Sequence, residues 1–242
     1  LYFVDPDDYI LKNSLKEPLD LMRKESLDML RFDYAEVDEF GRIIHSTKYP
    51  VRTNFSPSIM DGETFMSERL GVACYVWTYI FRRNLIIDSQ LFFKEGEYVD
   101  DTPWLPQVLL KVKRIDSLDV KRHFYLIRDN SLVRANDNAS INKQIEGLLV
   151  LLSELKVQLS ENQSKKASRW FRMMISHSTV CLLTLIGQYR YEQRETILSR
   201  IEDLGIFPLS TVKSTARNKC KVILINFSPN VYCKIISITS SH

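Results

Sequence analysis

The chain has few cysteines, and none of them forms a metal or disulfide motif. Four occur among 242 residues, at Cys74, Cys181, Cys220 and Cys233, and no two stand in a CxxC arrangement. The four histidines do not cluster with them. Zinc sites and disulfide frameworks need closely spaced cysteines or histidines. The sequence therefore predicts neither, and it favours a reducing, cytoplasmic setting.

The chain also lacks a strong charge of either sign and a long apolar run. Lys and Arg number 33 against 30 Asp and Glu, and a net charge of +3 gives no argument for a nucleic-acid partner. The longest apolar stretch, Met173–Ile186, is interrupted by serine, histidine and threonine. Because it is shorter than the roughly 18 residues of a membrane span, we expect a buried helix.

Carboxylates follow an apolar run at the start of the sequence. Leu1–Val4 favours a buried β-strand, and Asp5-Pro6-Asp7-Asp8 comes directly after it. Mg²⁺ and Mn²⁺ prefer carboxylate oxygens and leave the remaining positions to water and substrate phosphate. The pattern predicts a metal site, although Asp-Pro and Asp-Asp pairs also start simple turns. A buried strand here implies sheet neighbours upstream, so we expect a fragment of a larger enzyme.

A second acidic segment precedes a predicted helix. It reads Glu95-Gly96-Glu97-Tyr98-Val99-Asp100-Asp101 and is followed by Thr-Pro-Trp, with Pro103 at a first-turn position. An aspartate at such a junction suits a helix N-cap. It is also rigidly placed for work as a general base. The two interpretations are compatible.

Local patterns predict the elements around these segments. Ser14 and Glu17 form a capping box before a helix. Alternation over 31–37 and again after Gly41 predicts a hairpin, and Asp61 is expected to cap a helix. Further expectations are a strand at Phe92-Phe93, a helix over 102–112 and a strand over 123–127.

Composition changes near Asn136-Asp137-Asn138. Beyond it, apolar residues from Ile141 to Leu159 keep one helical face, a second helix over 170–190 is expected to break near His177, and a third ends at Gly205. We therefore predict two parts, residues 1–138 and a helical region over 139–242.

Two enzyme families open with an apolar strand and a DxD. Haloacid-dehalogenase-like phosphatases do so, but they normally place Thr or Val two residues after the second Asp, where this chain has Tyr9. Four segments in order are instead similar to motifs of glycosyltransferase family 2, of the inverting GT-A type. They are LYFVDPDDYI, VWTYIFRRNLIID, FFKEGEYVDDTPW and FYLIRDNSL, and the resemblance covers about residues 1–135.

The resemblance implies roles for particular residues. Asp5 and Asp7 match the DxD that holds Mn²⁺ or Mg²⁺ on the diphosphate, with Asp7 the direct ligand, and Asp101 matches the catalytic base. Trp77, Glu95 and Asp100 match the acceptor side, although Trp77 also suits core packing and Asp100 stands where the family more often has Glu. Arg128 and Ser131 match a loop that approaches the donor phosphates, or they form an exposed turn.

The resemblance further implies a fold and a reaction. The fold is a partial α/β GT-A domain, without its N-terminal nucleotide-binding half, followed by an α-helical region. The donor is a nucleotide-diphosphate sugar, with UDP as the nucleotide, and the acceptor is a saccharide or lipid-linked glycan of cell-surface polysaccharide synthesis. Residues 1–242 alone are expected to be nearly inactive. The alternatives are a truncated, non-catalytic interaction module and a DxD-type phosphatase.

The C-terminal part carries the remaining expectation. From Lys213 onward there are five basic residues and no acid, beside Ile223-Leu224-Ile225 and Phe227. Such a segment suits peripheral contact with the inner face of the membrane. The competing interpretation is a helical appendage that packs on the domain and leaves a solvated basic face.

Overall fold

The computed structural model describes residues 1–46, 58–96, 99–127, 137–212 and 215–240. The chain divides into two compact units. The first, called the sheet unit, comprises residues 1–93 and 104–134, and the second, called the helical unit, comprises residues 94–103 and 135–242. Residues 94–103 thus group with the helical unit, and the domain boundary at residue 138 stays a prediction.

The sheet unit contains a mixed five-stranded sheet in the described residues. Its strands are β1 (Tyr9–Ile10), β2 (Met29–Val37), β3 (Ile43–Ser46), β4 (Tyr79–Phe81) and β5 (Ile115–Leu126). One edge of β2 pairs in parallel with β5, and the other pairs antiparallel with β4 and β3. β1 pairs antiparallel with β5. The mixed α/β class expected from the sequence is confirmed.

The central strand β2 is buried on both of its faces. Met29, Leu30, Phe32, Ala35 and Val37 are each at most 1% exposed. Near-continuous burial is typical of a strand with a parallel neighbour and layers on both sides. The predicted hairpin is confirmed, because β3 pairs with the last residues of β2 in an antiparallel register.

Short helices connect and cover the strands. They are α1 (Lys16–Lys24), α2 (Gly62–Glu68), α3 (Arg83–Ser89) and α4 (Asp101–Leu109), the last of which begins in the helical unit. Met22 of α1 packs with Leu27, Leu30, Phe32 and Ile80 in one apolar cluster. The predicted cap of α2 is confirmed, since Asp61 Oδ1 accepts the Thr64 N–H at 2.6 Å.

The predicted capping box at Ser14 is wrong. Leu15 occupies the N-cap of α1 and makes no side-chain cap bond. Glu17 does not reach back to the cap but forms an ion pair with Arg122 of β5. The Ser14 hydroxyl is buried and has no hydrogen-bond partner among the described residues. The long-range ion pair thus replaces the local pattern.

Two predicted strands are also wrong. Leu1–Val4 forms only a bridge between Tyr2 and Ile80, and Leu1 and Val4 are 45% and 42% exposed. A turn then begins at Asp5, with Pro6 as its second residue. Phe92-Phe93 is irregular, because Phe93 stacks on Trp104 and Phe92 points to solvent, with 67% exposure.

The helical unit is built around one long helix. Its helices are α5 (Asn138–Glu161), α6 (Lys165–Tyr189), α7 (Arg194–Asp203), α8 (Ala216–Phe227) and α9 (Pro229–Ser240). In α6, Trp170, Phe171, Leu182, Leu183 and Ile186 are fully buried. By length and composition α6 is the one described helix that would be long and apolar enough to cross a membrane. Within the structure 72% of that window is buried, as in the core helix of a folded protein.

The expected break of this helix near His177 is wrong, since α6 is continuous. Three hydroxyls are paired within the helix: Ser176, Thr179 and Thr184 each donate to the carbonyl four residues earlier, at 2.7–2.9 Å. These polar side chains are therefore accommodated without a break in the helix. The predicted end of α7 is confirmed, because Gly205 follows it with φ +59°.

Candidate functional site

The first acidic segment forms a tight turn, called here the Asp5–Asp8 loop. The Asp8 N–H donates to the Asp5 carbonyl at 3.1 Å. Asp5 and Asp7 are exposed, whereas the Asp8 side chain is completely buried. Three neighbouring carboxylates thus face two environments. Two stand at the surface, as a ligand-binding pair requires, and the third points into the sheet unit.

Asp8 is held by a buried hydrogen-bonded chain. Its Oδ2 lies 2.7 Å from His123 Nε2, and its Oδ1 accepts the Leu126 N–H at 2.9 Å. The His123 ring is also fully buried, and its Nδ1 lies 2.8 Å from the Tyr2 hydroxyl. Burial raises the pKa of Tyr2, and the Asp8 charge raises it further. We infer that Tyr2 keeps its proton and donates to Nδ1, which leaves Nε2–H to donate to Asp8.

These hydrogen bonds fix the Asp5–Asp8 loop to the sheet. His123 and Leu126 belong to β5, so both Asp8 oxygens anchor the turn to a strand more than 110 residues away in sequence. Sequence reasoning missed His123 altogether. The available signal was a histidine directly before the apolar run Phe124–Ile127, in the strand that pairs with the residues just after the acidic turn.

Trp77 lies beside these hydrogen-bonded residues. Trp77 sits in a 3₁₀ turn over Val76–Thr78 that leads directly into β4. Its ring stacks on His123 at 4.4 Å and on Tyr75 at 4.8 Å between centroids. Tyr34 meets it edge-on. With 7% exposure, Trp77 shields the Asp8–His123 pair from water, and its acceptor-binding role stays a prediction.

The second acidic segment lies at the start of α4. Asp101 is the first residue of that helix and is half-buried, and its N–H donates to Asp100 Oδ1 at 3.0 Å. The macrodipole of a helix favours a negative charge at its N-terminus, so this position stabilises the ionised carboxylate. Glu95 and Asp100 are exposed.

The predicted site residues fall into three groups. Asp5, Asp7 and Trp77 belong to the sheet unit, whereas Glu95, Asp100 and Asp101 belong to the helical unit. Arg128 and Ser131 lie outside the described residues. Their assigned roles remain predictions. In the part of the chain that the structure describes, no group of three or more His, Cys, Asp or Glu side chains is arranged to hold a metal ion.

Comparisons with known proteins find similarity at the level of fold. No family model and no curated protein match the sequence. The fold is similar to that of S. aureus TarS 1–349 in complex with UDP, with a TM-score of 0.59, 15% identity, and coverage of 99% of this chain and 64% of that one. A structure of S. aureus TarS gives a TM-score of 0.55 at 12% identity over 98% of this chain and 38% of that one.

A further structure of S. aureus TarS 1–349 gives a TM-score of 0.54 at 15% identity, covering 90% of this chain and 66% of that one. TarS is a glycosyltransferase, and this chain therefore has a glycosyltransferase-type fold of mixed α/β structure. The chain spans somewhat under two thirds of TarS 1–349.

Proposed function

We propose that the chain is part of an inverting glycosyltransferase of family 2 and GT-A type. It would transfer a sugar from a UDP-sugar to a saccharide or lipid-linked acceptor in the cytoplasm, for cell-surface polysaccharide. The observation that carries the proposal is the Asp5–Asp8 loop. It presents two exposed carboxylates on a rigid anchor, within a fold similar to that of a protein solved with UDP.

The loop is suited to a hard divalent cation on a diphosphate. Mg²⁺ or Mn²⁺ is typically bound by one or two carboxylates together with substrate phosphates, so a cluster of three protein ligands is not needed. Asp7 and Asp5 would hold the ion, and Asp8 is already committed to His123 and Leu126. When bound, the ion would offset the negative charge that develops on the leaving diphosphate. Arg128 and Ser131 would contact the donor phosphates.

Asp101 would act as the general base in a single displacement. Its carboxylate takes the proton from an acceptor hydroxyl, and that oxygen forms a bond to the anomeric carbon of the donor sugar. The bond from this carbon to the nucleoside diphosphate breaks on the opposite face, which inverts the configuration. The position of Asp101 at the N-terminus of α4 supports the role, because it favours the ionised form before transfer. Trp77, Glu95 and Asp100 would orient the acceptor.

Two substitutions separate donor binding from transfer in the complete native protein. Asp7→Ala should abolish Mn²⁺-dependent binding of UDP in titration calorimetry, because the diphosphate loses its metal ligand. Asp101→Asn should keep UDP binding within about twofold and lower transfer from a UDP-sugar by about 10²-fold or more. Asp20→Ala, an exposed aspartate on α1, is the matched control and should change neither.

Two results would contradict the assignment. Loss of UDP binding in Asp101→Asn would mean that the two roles are exchanged. An acyl-phosphate trapped at Asp5 during hydrolysis of a phosphate ester would show a DxD-type phosphatase instead.

A further inference from the structure

Two rows of large apolar side chains remain exposed at the C-terminal end of the helical unit. On α8 they are Ile223 and Phe227, which are 63% and 84% exposed. On α9 they are Val231, Ile235 and Ile238, which are 42%, 43% and 58% exposed. Spacings of three and four residues place each row on one side of its helix. We call these five side chains the apolar rows.

The opposite sides of both helices are fixed in the core. Val222 and Ile225 of α8 are buried, as are Tyr232 and Cys233 of α9. The Tyr232 hydroxyl lies 2.8 Å from Thr184 Oγ1 of α6. The helices therefore cannot rotate to hide their apolar rows without breaking the core. Large apolar side chains that are grouped in rows, rather than scattered singly, indicate an interaction surface.

The charges on the two helices themselves are all of one sign. From Ala216 to Ser240 there are four basic residues and no acid: Arg217, Lys219, Lys221 and Lys234. Lys219 precedes Ile223 by four residues and Lys234 precedes Ile238 by four, so each lysine lies on the same side as the neighbouring apolar row. Arg217, Lys219 and Lys234 are exposed.

We propose that α8 and α9 form a docking surface for an anionic lipid bilayer. Apolar side chains flanked by lysine and arginine, on helices whose opposite sides are buried in a core, are what an interfacial helix presents to the headgroup region. The charges decide between occupants. A second copy of the chain would bring its own uncompensated positive charges against these, whereas an anionic leaflet neutralises them.

Flotation with phosphatidylcholine vesicles, with and without phosphatidylglycerol, tests the proposal on the whole chain. Wild type should float with the anionic vesicles at low salt and remain soluble with the neutral ones. Ile223→Ser with Phe227→Ser should weaken partitioning at least about tenfold. The matched control is Phe92→Ser with Val157→Ser, which removes apolar side chains of 67% and 50% exposure elsewhere and should have no effect.

A second pair of variants tests the charges. Lys219→Gln with Lys234→Gln should weaken partitioning roughly 25-fold, since each basic group near an anionic surface contributes about fivefold. The control is Lys12→Gln with Lys111→Gln, two exposed lysines of the sheet unit. Because the changed side chains are exposed, each variant should keep the wild-type circular dichroism. A Phe227→Trp variant should show a blue-shifted emission on anionic vesicles only.

Three outcomes would overturn the proposal. The first is that the wild type stays in the soluble fraction with anionic vesicles at low salt. The second is that the apolar and charge variants float as well as the wild type. A stable dimer in sedimentation without lipid, dissociated by Ile223→Ser with Phe227→Ser, would show that a second copy covers this surface.

Discussion

At the scale of single residues, the decisive feature is the different fate of adjacent aspartates. Asp7 and Asp8 have the same carboxylate, yet Asp7 is exposed, whereas Asp8 is buried and hydrogen-bonded to His123, on whose ring Trp77 stacks. A buried carboxylate is tolerated only when its oxygens are paired. Asp8 meets that condition because each of its oxygens accepts one hydrogen bond, and these bonds fix the turn that presents Asp5 and Asp7.

Asp8→Ala should therefore destabilise the fold by about 2–3 kcal/mol, because it leaves the His123 ring and the Leu126 N–H buried without their partner. Urea unfolding followed by fluorescence measures this. Asp88→Ala removes an exposed aspartate of α3 and should change stability by less than about 0.5 kcal/mol. Equal effects of the two variants would show that the Asp8–His123 pair does not stabilise the fold.

At the scale of elements, the packing of α2 on the end of α4 depends on a missing side chain. A Cβ on Gly62 would lie 1.8 Å from the carbonyl oxygen of Leu109, the last residue of α4. This is backbone, which cannot move aside as a flexible side chain can. The Gly62 N–H also donates to the Val112 carbonyl at 3.0 Å, so the two segments are held at this distance.

Gly62→Ala should cost about 3 kcal/mol or more, since α2 must move away from α4 and lose its buried contacts at Phe65 and Met66. Gly71→Ala is the matched control, because a Cβ there meets nothing within 4 Å. Its effect should stay within about 0.5 kcal/mol. Thermal unfolding of both variants gives the comparison, and similar midpoints would contradict the close-approach argument.

At the scale of the whole molecule, several titrating groups make the stability of the helical unit depend on pH. Hydrogen bonds from Ser140 lower the pKa of Asp137, and the Arg200 guanidinium lowers that of Glu146. Burial lowers the pKa of His177 and raises that of the Cys233 thiol to about 11. The first three shifts act on the acid side and the last on the alkaline side.

The helical unit should be most stable from about pH 7 to 8.5. Asp137 and Glu146 stabilise the unit at pH values above their unfolded-state pKa values, which are near 4. This stabilisation is lost as the pH falls through their folded-state pKa values. As the pH falls, His177 takes up its proton in the unfolded chain before it does so in the folded one. Stability therefore already declines below about pH 6.5. Above pH 9.0, the ordinary pKa of a thiol, Cys233 ionises in the unfolded chain but not yet in the folded one. Stability is therefore lost towards pH 11.

Denaturant unfolding monitored by helical circular dichroism across this range provides the measurement. His177→Gln should flatten the decline between about pH 6.5 and 5 and leave the steeper loss below pH 4.5. A stability maximum below pH 5 would contradict the assigned directions.

Much of the local structure was determined by the sequence itself. The hairpin of β2 and β3, the Asp61 cap, the glycine end of α7 and the amphipathic face of α5 all follow from short-range spacing and turn chemistry. The position of the Asp5–Asp8 turn also follows, because Asp-Pro pairs initiate turns wherever they stand. Neighbouring residues decide these features, so a local pattern predicts them.

Only the tertiary structure decided what those turns and helices face. Asp8 is buried because β5 brings His123 to it across 115 positions, and Glu17 pairs with Arg122 across 105 positions instead of reaching back to the start of its helix. Trp77 contacts the rings of Tyr34 and His123 because β2 and β5 bring them to the turn that holds it. The apolar rows of α8 and α9 stay at the surface because α6 holds their opposite faces. Local residue spacing does not predict contacts between residues so far apart in sequence. Such contacts determine which side chains are exposed for binding or catalysis.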